Sequence, residues 1–307
     1  MDAAAFATKI RSAFAQCSLG DWPTPLDPAP ALARAIGAEA LWLKREDMAG
    51  GNKVRGLEFL LAGARPDTVF VTVGGTGSTH CLATALHARR LRHRSVLAQF
   101  PQPATAASRA VAAATTRAAD LVVKTRSQMG LPWAALRAWL AARRLGAPRW
   151  IPGGGAHPRA VVGHFLATLE LAAQLDDPPD TIVVPLGTGG TAAGIALGLA
   201  WLRWPTRVVG VRVAPLLVAN RWRVSRLARG AAQLLQVQST QLNIQVVDGL
   251  GAGYGHPSPD GERARVLAAD HGLTLDPTYG AKAFAALVQR ATGNVQRTVF
   301  WHTFAWP

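Results

Sequence analysis

The residues best suited to chemistry begin with Lys53, in the stretch Gly50-Gly51-Asn52-Lys53-Val54-Arg55-Gly56-Leu57-Glu58. Two glycines let backbone approach a ligand closely and break the preceding strand. Lys53 then opens an apolar run at helical period: Val54, Leu57, Leu60 and Leu61. A lysine there is a candidate for a held, partly desolvated nucleophile, and an amine can lose its proton where a guanidinium cannot, as Schiff-base chemistry requires. Of the 33 basic residues only Lys9, Lys44, Lys53, Lys124 and Lys282 are lysine. The competing reading is a solvated lysine at a helix start.

Gly187-Thr188-Gly189-Gly190-Thr191 follows an apolar strand and opens a helix. Backbone N–H groups and the helix dipole at such a turn hold a phosphate, with the Thr188 and Thr191 hydroxyls as further donors. No Gly-Lys-Ser/Thr follows, and no acid stands some 20 residues on, so neither a Walker loop nor a dinucleotide fingerprint is present. A phosphate without its nucleotide fits; a tight strand-to-helix turn is the plainer alternative.

Gly77-Ser78-Thr79-His80 opens another helix and suits a carboxylate. Ser78 either bonds that ligand or is an ordinary cap. His80 reads equally as a packing or a catalytic residue. Cys81, inside the same helix, is a thiol of lowered pKa or a small buried residue. The two tyrosines, Tyr254 and Tyr279, both fall in glycine-containing loops, where they can stack on a planar ring or move a proton. No His/Cys/Asp/Glu spacing suggests a metal, and there is no Gly-x-Ser-x-Gly elbow.

The elements around these motifs alternate. Strands are expected at Glu39–Lys44, Thr68–Val73, Ser95–Phe100, Leu121–Lys124, Arg149–Ile151, Thr181–Leu186, Arg207–Val213, Ile244–Val247 and Thr298–His302. Helices are expected between them, together with one over residues 1–20 and others near Leu216–Leu235. Continuous apolar strands separated by helices predict an α/β fold with a mainly parallel, twisted sheet covered on both faces. Ligands of such sheets sit at the carboxyl ends of strands, where the glycine turns after Val73, Ile151 and Leu186 fall. If there are two domains, one is inserted in the other.

At 307 residues and 49% hydrophobic, the chain is long enough for one large or two ordinary cores. No run reaches the ~18 apolar residues of a membrane span, and the first residues lack a signal core, so a cytoplasmic protein with no membrane partner is expected. Two cysteines, Cys17 and Cys81, make no disulfide framework. The net charge of +15 attracts anions. Aromatic residues are not interleaved with the basic ones as a stacking platform needs, which argues against specific nucleic-acid binding, even around Arg221, Arg223, Arg226 and Arg229.

Taken together, the chain resembles the pyridoxal-phosphate enzymes of the D-cysteine desulfhydrase and 1-aminocyclopropane-1-carboxylate deaminase family. The resemblance rests on Pro23-Thr24-Pro25-Leu26, Trp42-Leu43-Lys44-Arg45-Glu46-Asp47, the Lys53 stretch, Ile151-Pro152-Gly153-Gly154, Gly187–Thr191, Gly251-Ala252-Gly253-Tyr254-Gly255 and Asp276-Pro277-Thr278-Tyr279, in that order. It implies a fold-type-II architecture of two domains, each with a mainly parallel twisted sheet flanked by helices. Residues 1–52 and 151–307 would form the large pyridoxal-phosphate-binding domain, and 53–150 a small inserted one. It further implies a homodimer. Lys53 would carry pyridoxal 5'-phosphate as a Schiff base, with Asn52, Thr79, Gly187, Thr188, Gly189, Gly190, Thr191 and Thr303 also contacting the cofactor. Ser78, Thr79, His80 and Tyr254 would bind a small amino-acid substrate, and Ser78, Tyr254 and Tyr279 would join Lys53 in catalysis. The implied reaction is α,β-elimination to a 2-oxo acid and ammonia. A deaminase or an L-cysteate sulfo-lyase of the same family, and a non-catalytic pyridoxal-phosphate-binding protein, are the alternatives.

Four features depart from that pattern. Gly77-Ser78-Thr79-His80 replaces Gln-Ser-Asn-His. Gly280 follows Tyr279 where the deaminases carry glutamate and the desulfhydrases usually threonine. The loop before Lys53 is about four residues short by comparison of the motifs. The tail reads His302-Thr303-Phe304 in place of His-Thr-Gly-Gly.

Overall fold

The computed structural model describes residues 2–238, 241–291 and 296–304. In chain order the elements are α1 (Ala3–Ala13), β1 (Leu26–Pro28), α2 (Pro30–Ile36), β2 (Ala40–Arg45), α3 (Lys53–Leu61), β3 (Thr68–Gly75), α4 (Thr79–Arg90), β4 (Arg94–Phe100), α5 (Ala106–Ala118), β5 (Leu121–Lys124), α6 (Leu131–Leu145), β6 (Ala147–Trp150) and α7 (Pro158–Ala172). There follow β7 (Thr181–Leu186), α8 (Gly190–Leu202), β8 (Arg207–Arg212), α9 (Arg221–Leu235), β9 (Ile244–Asp248), α10 (Pro259–Ala269), α11 (Gly280–Ala291) and β10 (Arg297–His302).

The strands form two sheets. One has six strands in the order β1-β2-β10-β7-β8-β9, the other four in the order β5-β4-β3-β6. Every pairing is parallel except β1 with β2. Parallel strands need crossovers, and helices supply them, so both faces are covered and the central strands are mainly apolar. Ile182, Val183, Val184, Val208, Val209 and Val211 are all buried.

Helix α3 joins the two layers. Its Gly56 faces Ala160 of α7, where a Cβ would stand 2.9 Å from the alanine Cβ, and at Gly163 of α7 a Cβ would lie 2.2 Å from the Arg55 carbonyl oxygen. Only glycine allows so close an approach, and it holds the start of α3 beside the layer containing α7 and α8. A buried ion network pins the same place. Arg55 binds Glu46 (Nε–Oε2 2.7 Å) and Glu170 (Nη2–Oε1 2.9 Å), and Lys44 pairs with Glu170.

Several expectations need correction. The helix expected over 1–20 stops at Ala13, and Met1 lies outside the described residues. The segment Leu26–Pro28 is a short edge strand, where a proline's missing donor is tolerated. Strand β3 runs on through Gly74 and Gly75, which pair with Gln99 and Phe100. The glycines after β2 do not themselves end that strand; a 3-10 turn, Glu46–Ala49, intervenes, with Glu46 drawn inward by Arg55. Only one helix occupies 216–235, starting at Arg221, where the Asn220 side chain caps it by accepting from the Arg223 N–H at 2.8 Å.

Candidate active site

Lys53 is the first residue of α3, after a left-handed turn at Gly50 (φ 79°) and Gly51 (φ 95°). The Asn52 N–H donates to the Thr303 carbonyl at 2.9 Å, and its side-chain amide donates to Thr191 Oγ1 at 2.7 Å. Three distant segments therefore meet around this lysine. Burial without a carboxylate partner pushes the Lys53 amine down to about 8, which favours the neutral, nucleophilic form.

Lys53 lines two adjoining cavities. The larger, about 410 Å³, is bounded also by Gly74, Ser78, Thr79, His80, Gly153, Tyr254 and Tyr279. The smaller is walled by Asn52, Thr79, Gly187–Thr191, Tyr279 and Thr303. Its floor is the start of α8, where Gly189 (φ 92°) occupies the cap position and no side chain satisfies the first N–H groups. Those donors, the helix dipole and the open space beside Gly187 make an anion cradle. The backbone there is tightly set: a Cβ at Gly154 (φ 68°) would fall 2.4 Å from Thr188 Oγ1.

Ser78 is the cap of α4, its Oγ accepting from the Cys81 N–H at 3.3 Å, so its hydroxyl proton remains free to donate. Thr79 lines both cavities. His80 is held by Thr72: the Thr72 hydroxyl donates to the Ile151 carbonyl (2.8 Å), so it accepts from His80 Nε2 (2.9 Å). Burial and the nearby Lys53 amine hold His80 down to about 3, so it is neutral with a bare Nδ1. The lowered thiol pKa weighed for Cys81 is corrected: burial pushes it up to about 11.

The two tyrosines converge. Their hydroxyl oxygens are 2.6 Å apart, and burial raises both phenol pKa values, so both stay protonated at neutral pH. Each loop is anchored from below. Lys282 Nζ donates to the Leu250 carbonyl (2.7 Å) and to the Gly253 carbonyl (3.2 Å). The Asp276 carboxylate accepts from the N–H groups of Thr278, Tyr279 and Gly280 at 3.0, 2.7 and 2.8 Å. A Cβ at Gly280 would stand 3.0 Å from that carboxylate, a tight contact.

The thirteen residues that the resemblance implies for the site border one of the two cavities, and Cys81 borders neither. Sequence reasoning missed others. Gln128, Leu131 and Arg223 line the larger cavity, Lys282 and Asp276 set the tyrosine loops, and Thr72 fixes the His80 tautomer. Arg223 was visible only as one of a run of arginines; nothing local distinguished it.

A lysine amine bordering both an anion cradle and an open cavity, at the carboxyl ends of parallel strands, fits an α/β enzyme that holds a phosphorylated aldehyde. The chain matches the pyridoxal-phosphate dependent enzyme family over residues 17–303. It belongs to that family, its cofactor is pyridoxal 5'-phosphate, and its fold is type II. It is 32% identical to a D-cysteine desulfhydrase of Klebsiella pneumoniae subsp. pneumoniae, over 88% of this chain and 86% of the relative. It is 36% identical to a nocardicin C-9' epimerase of Nocardia uniformis subsp. tsuyamanensis, over 92% and 90%. Among solved structures, an ACC deaminase homologue superposes with a TM-score of 0.84 at 30% identity, covering 97% of this chain and 94% of that one.

Proposed function

We propose that this enzyme is a lyase of the D-cysteine desulfhydrase kind, eliminating a β-substituent from a small amino acid and releasing a 2-oxo acid and ammonia. One observation carries the reading: Lys53 borders both the cradle of Gly187–Thr191 and the cavity holding Ser78, Tyr254 and Tyr279. The cradle, its unsatisfied N–H groups and the desolvated amine fit the cofactor. When bound, pyridoxal phosphate supplies an aldehyde for Lys53 and an electron sink for charge developing at the substrate Cα.

The protein's own groups supply the rest. The Lys53 amine, when free, would take the Cα proton, a role its lowered pKa suits. Ser78 and the first N–H groups of α4 receive the substrate carboxylate, with Thr79 beside them; neutral His80 braces that turn and adds no charge. The Tyr254–Tyr279 pair, protonated and hydrogen-bonded, donates toward the departing β-substituent. Asn52 ties the lysine turn to the cradle through Thr191, and Thr303, at the wall of the smaller cavity, would help hold the cofactor. Gly187, Thr188, Gly189 and Gly190 hold the phosphate. The large portion of the fold, 1–52 with 151–307, would bind the cofactor and 53–150 would form the small domain; the four-stranded sheet, spanning Thr68–Trp150, supports that division. A homodimer acting in the cytoplasm completes the reading; among the described residues no helix is long and apolar enough to cross a membrane.

A second reading is favoured by the 36% identity to an epimerase: the Cα proton, once removed, returns from the other face and no bond to a β-substituent breaks. Incubation with D-cysteine and other amino acids in deuterium oxide separates them. Elimination gives ammonia and 2-oxo acid in equal amounts. Loss of optical rotation with deuterium at Cα, and no ammonia, would replace the lyase reading with the epimerase one. Borohydride reduction followed by peptide mass analysis should find the cofactor on Lys53; its attachment elsewhere would remove the site assignment.

A further inference from the structure

Resting on the reading above, we propose that Arg223 is a specificity-determining residue, selecting amino-acid substrates that carry a second anionic group, a carboxylate or sulfonate, at the end of the side chain. Arg223 lines the larger cavity, with Leu131, Pro215 and Val218, and is not among the residues that wall the smaller one. Its Nε donates to the Thr188 carbonyl at 3.2 Å, which orients the guanidinium. Its two terminal nitrogens have no hydrogen-bond or ion-pair partner among the described residues, and no aspartate or glutamate lines the cavity.

The placement is electrostatically costly in three ways. Arg223 lies in the first turn of α9, at the positive end of the helix dipole. Arg226, one turn on, repels it, and partial burial strips water from its charge; burial first and Arg226 second lower its pKa. A bound anion relieves all three at once, and a planar guanidinium with two free donors matches a carboxylate or sulfonate in bidentate fashion. The apolar wall of Leu131, Pro215 and Val218 gives the intervening methylenes a dry path.

The test pairs compounds with the same carbon chain that differ by a terminal carboxylate. Calorimetric titration of the holoenzyme with glutamate and with norvaline, each as both enantiomers, measures binding without a β-leaving group. Turnover of S-carboxymethylcysteine against S-ethylcysteine measures the reaction: the Cα proton leaves, the Cβ–S bond breaks with its electron pair on sulfur, and water releases the 2-oxo acid and ammonia. The anionic member of each pair is expected to be favoured about 10- to 100-fold. In Arg223→Gln that ratio should fall to within about three-fold of one, and Arg223→Lys should restore part of it. No preference in the natural protein, or an unchanged ratio in Arg223→Gln, overturns the proposal, as does an equal weakening of both members of a pair together with cofactor. If neither sulfur compound nor D-cysteine yields 2-oxo acid, the elimination reading fails while the glutamate-to-norvaline ratio still decides the role of Arg223.

Discussion

Lys53 is the residue whose chemistry depends most on its surroundings. In the cofactor-free protein, capture of added pyridoxal phosphate should accelerate as pH rises from 7 to 9 and then level off, because the amine titrates at about 8. Stopped-flow absorbance is the check. The same shift has a stability consequence of definite sign. Between about 8 and the unfolded value of 10.5 the unfolded chain binds more protons than the folded one, so stability of the cofactor-free protein rises with pH in that window. Replacing Lys53 by alanine should lower kcat/KM by at least about 10²- to 10⁴-fold, removing both the covalent attachment and the base. Asp276 behaves oppositely. Burial, outweighing its three N–H donors, raises its carboxyl from 3.8 to about 6. Its contribution to stability is complete below pH 4 and fades as pH rises through 6. Chemical denaturation of Asp276→Asn should therefore lack that part of the pH slope.

Among the elements, the turn before α3 and the start of α8 form one unit. Asn52→Ala removes the 2.7 Å bond to Thr191 and should weaken cofactor affinity by roughly 5- to 10-fold, about 1 to 1.5 kcal/mol, in a fluorescence titration. Gly154→Ala pushes a methyl to within 2.4 Å of Thr188 Oγ1 at a residue with φ 68°. That should destabilise the fold by about 1–3 kcal/mol and loosen the cradle at the same time. Strand and helix identities were largely legible in the chain because apolar runs of four to eight residues alternate with helical periods. The failures have local causes. Gly74 and Gly75 read as a turn, yet they continue β3 because its ladder with β4 still satisfies their backbone groups. Glycine is needed at Gly74 since a Cβ there would meet Ser78 Oγ and Cys81 Sγ at 2.7 Å.

At the scale of the molecule, the ion network of Lys44, Glu46, Arg55 and Glu170 ties β2, α3 and α7 beneath the site. Removing Arg55 leaves the buried Glu46 carboxylate without a charged partner and Glu170 with Lys44 alone, and Arg55→Ala should cost about 3–5 kcal/mol in a urea titration. Burial alone would raise the Glu170 carboxyl, but Arg55 and Lys44 outweigh it and hold it below the usual range. That stability is present above the unfolded pKa and is lost as pH falls through the folded one.

The sequence by itself determined the α/β pattern, the glycine turns at strand ends and the motifs that resemble a pyridoxal-phosphate enzyme, because each is a short run whose residue types act locally. Only the tertiary structure decided which charges are compensated. Arg55 and Arg223 look alike in the chain, yet one is buried between two carboxylates and the other faces a cavity with two terminal nitrogens that no described residue binds. Partners 115 residues away, as Glu170 is from Arg55, leave no trace in local pattern, since folding alone brings them within 2.9 Å.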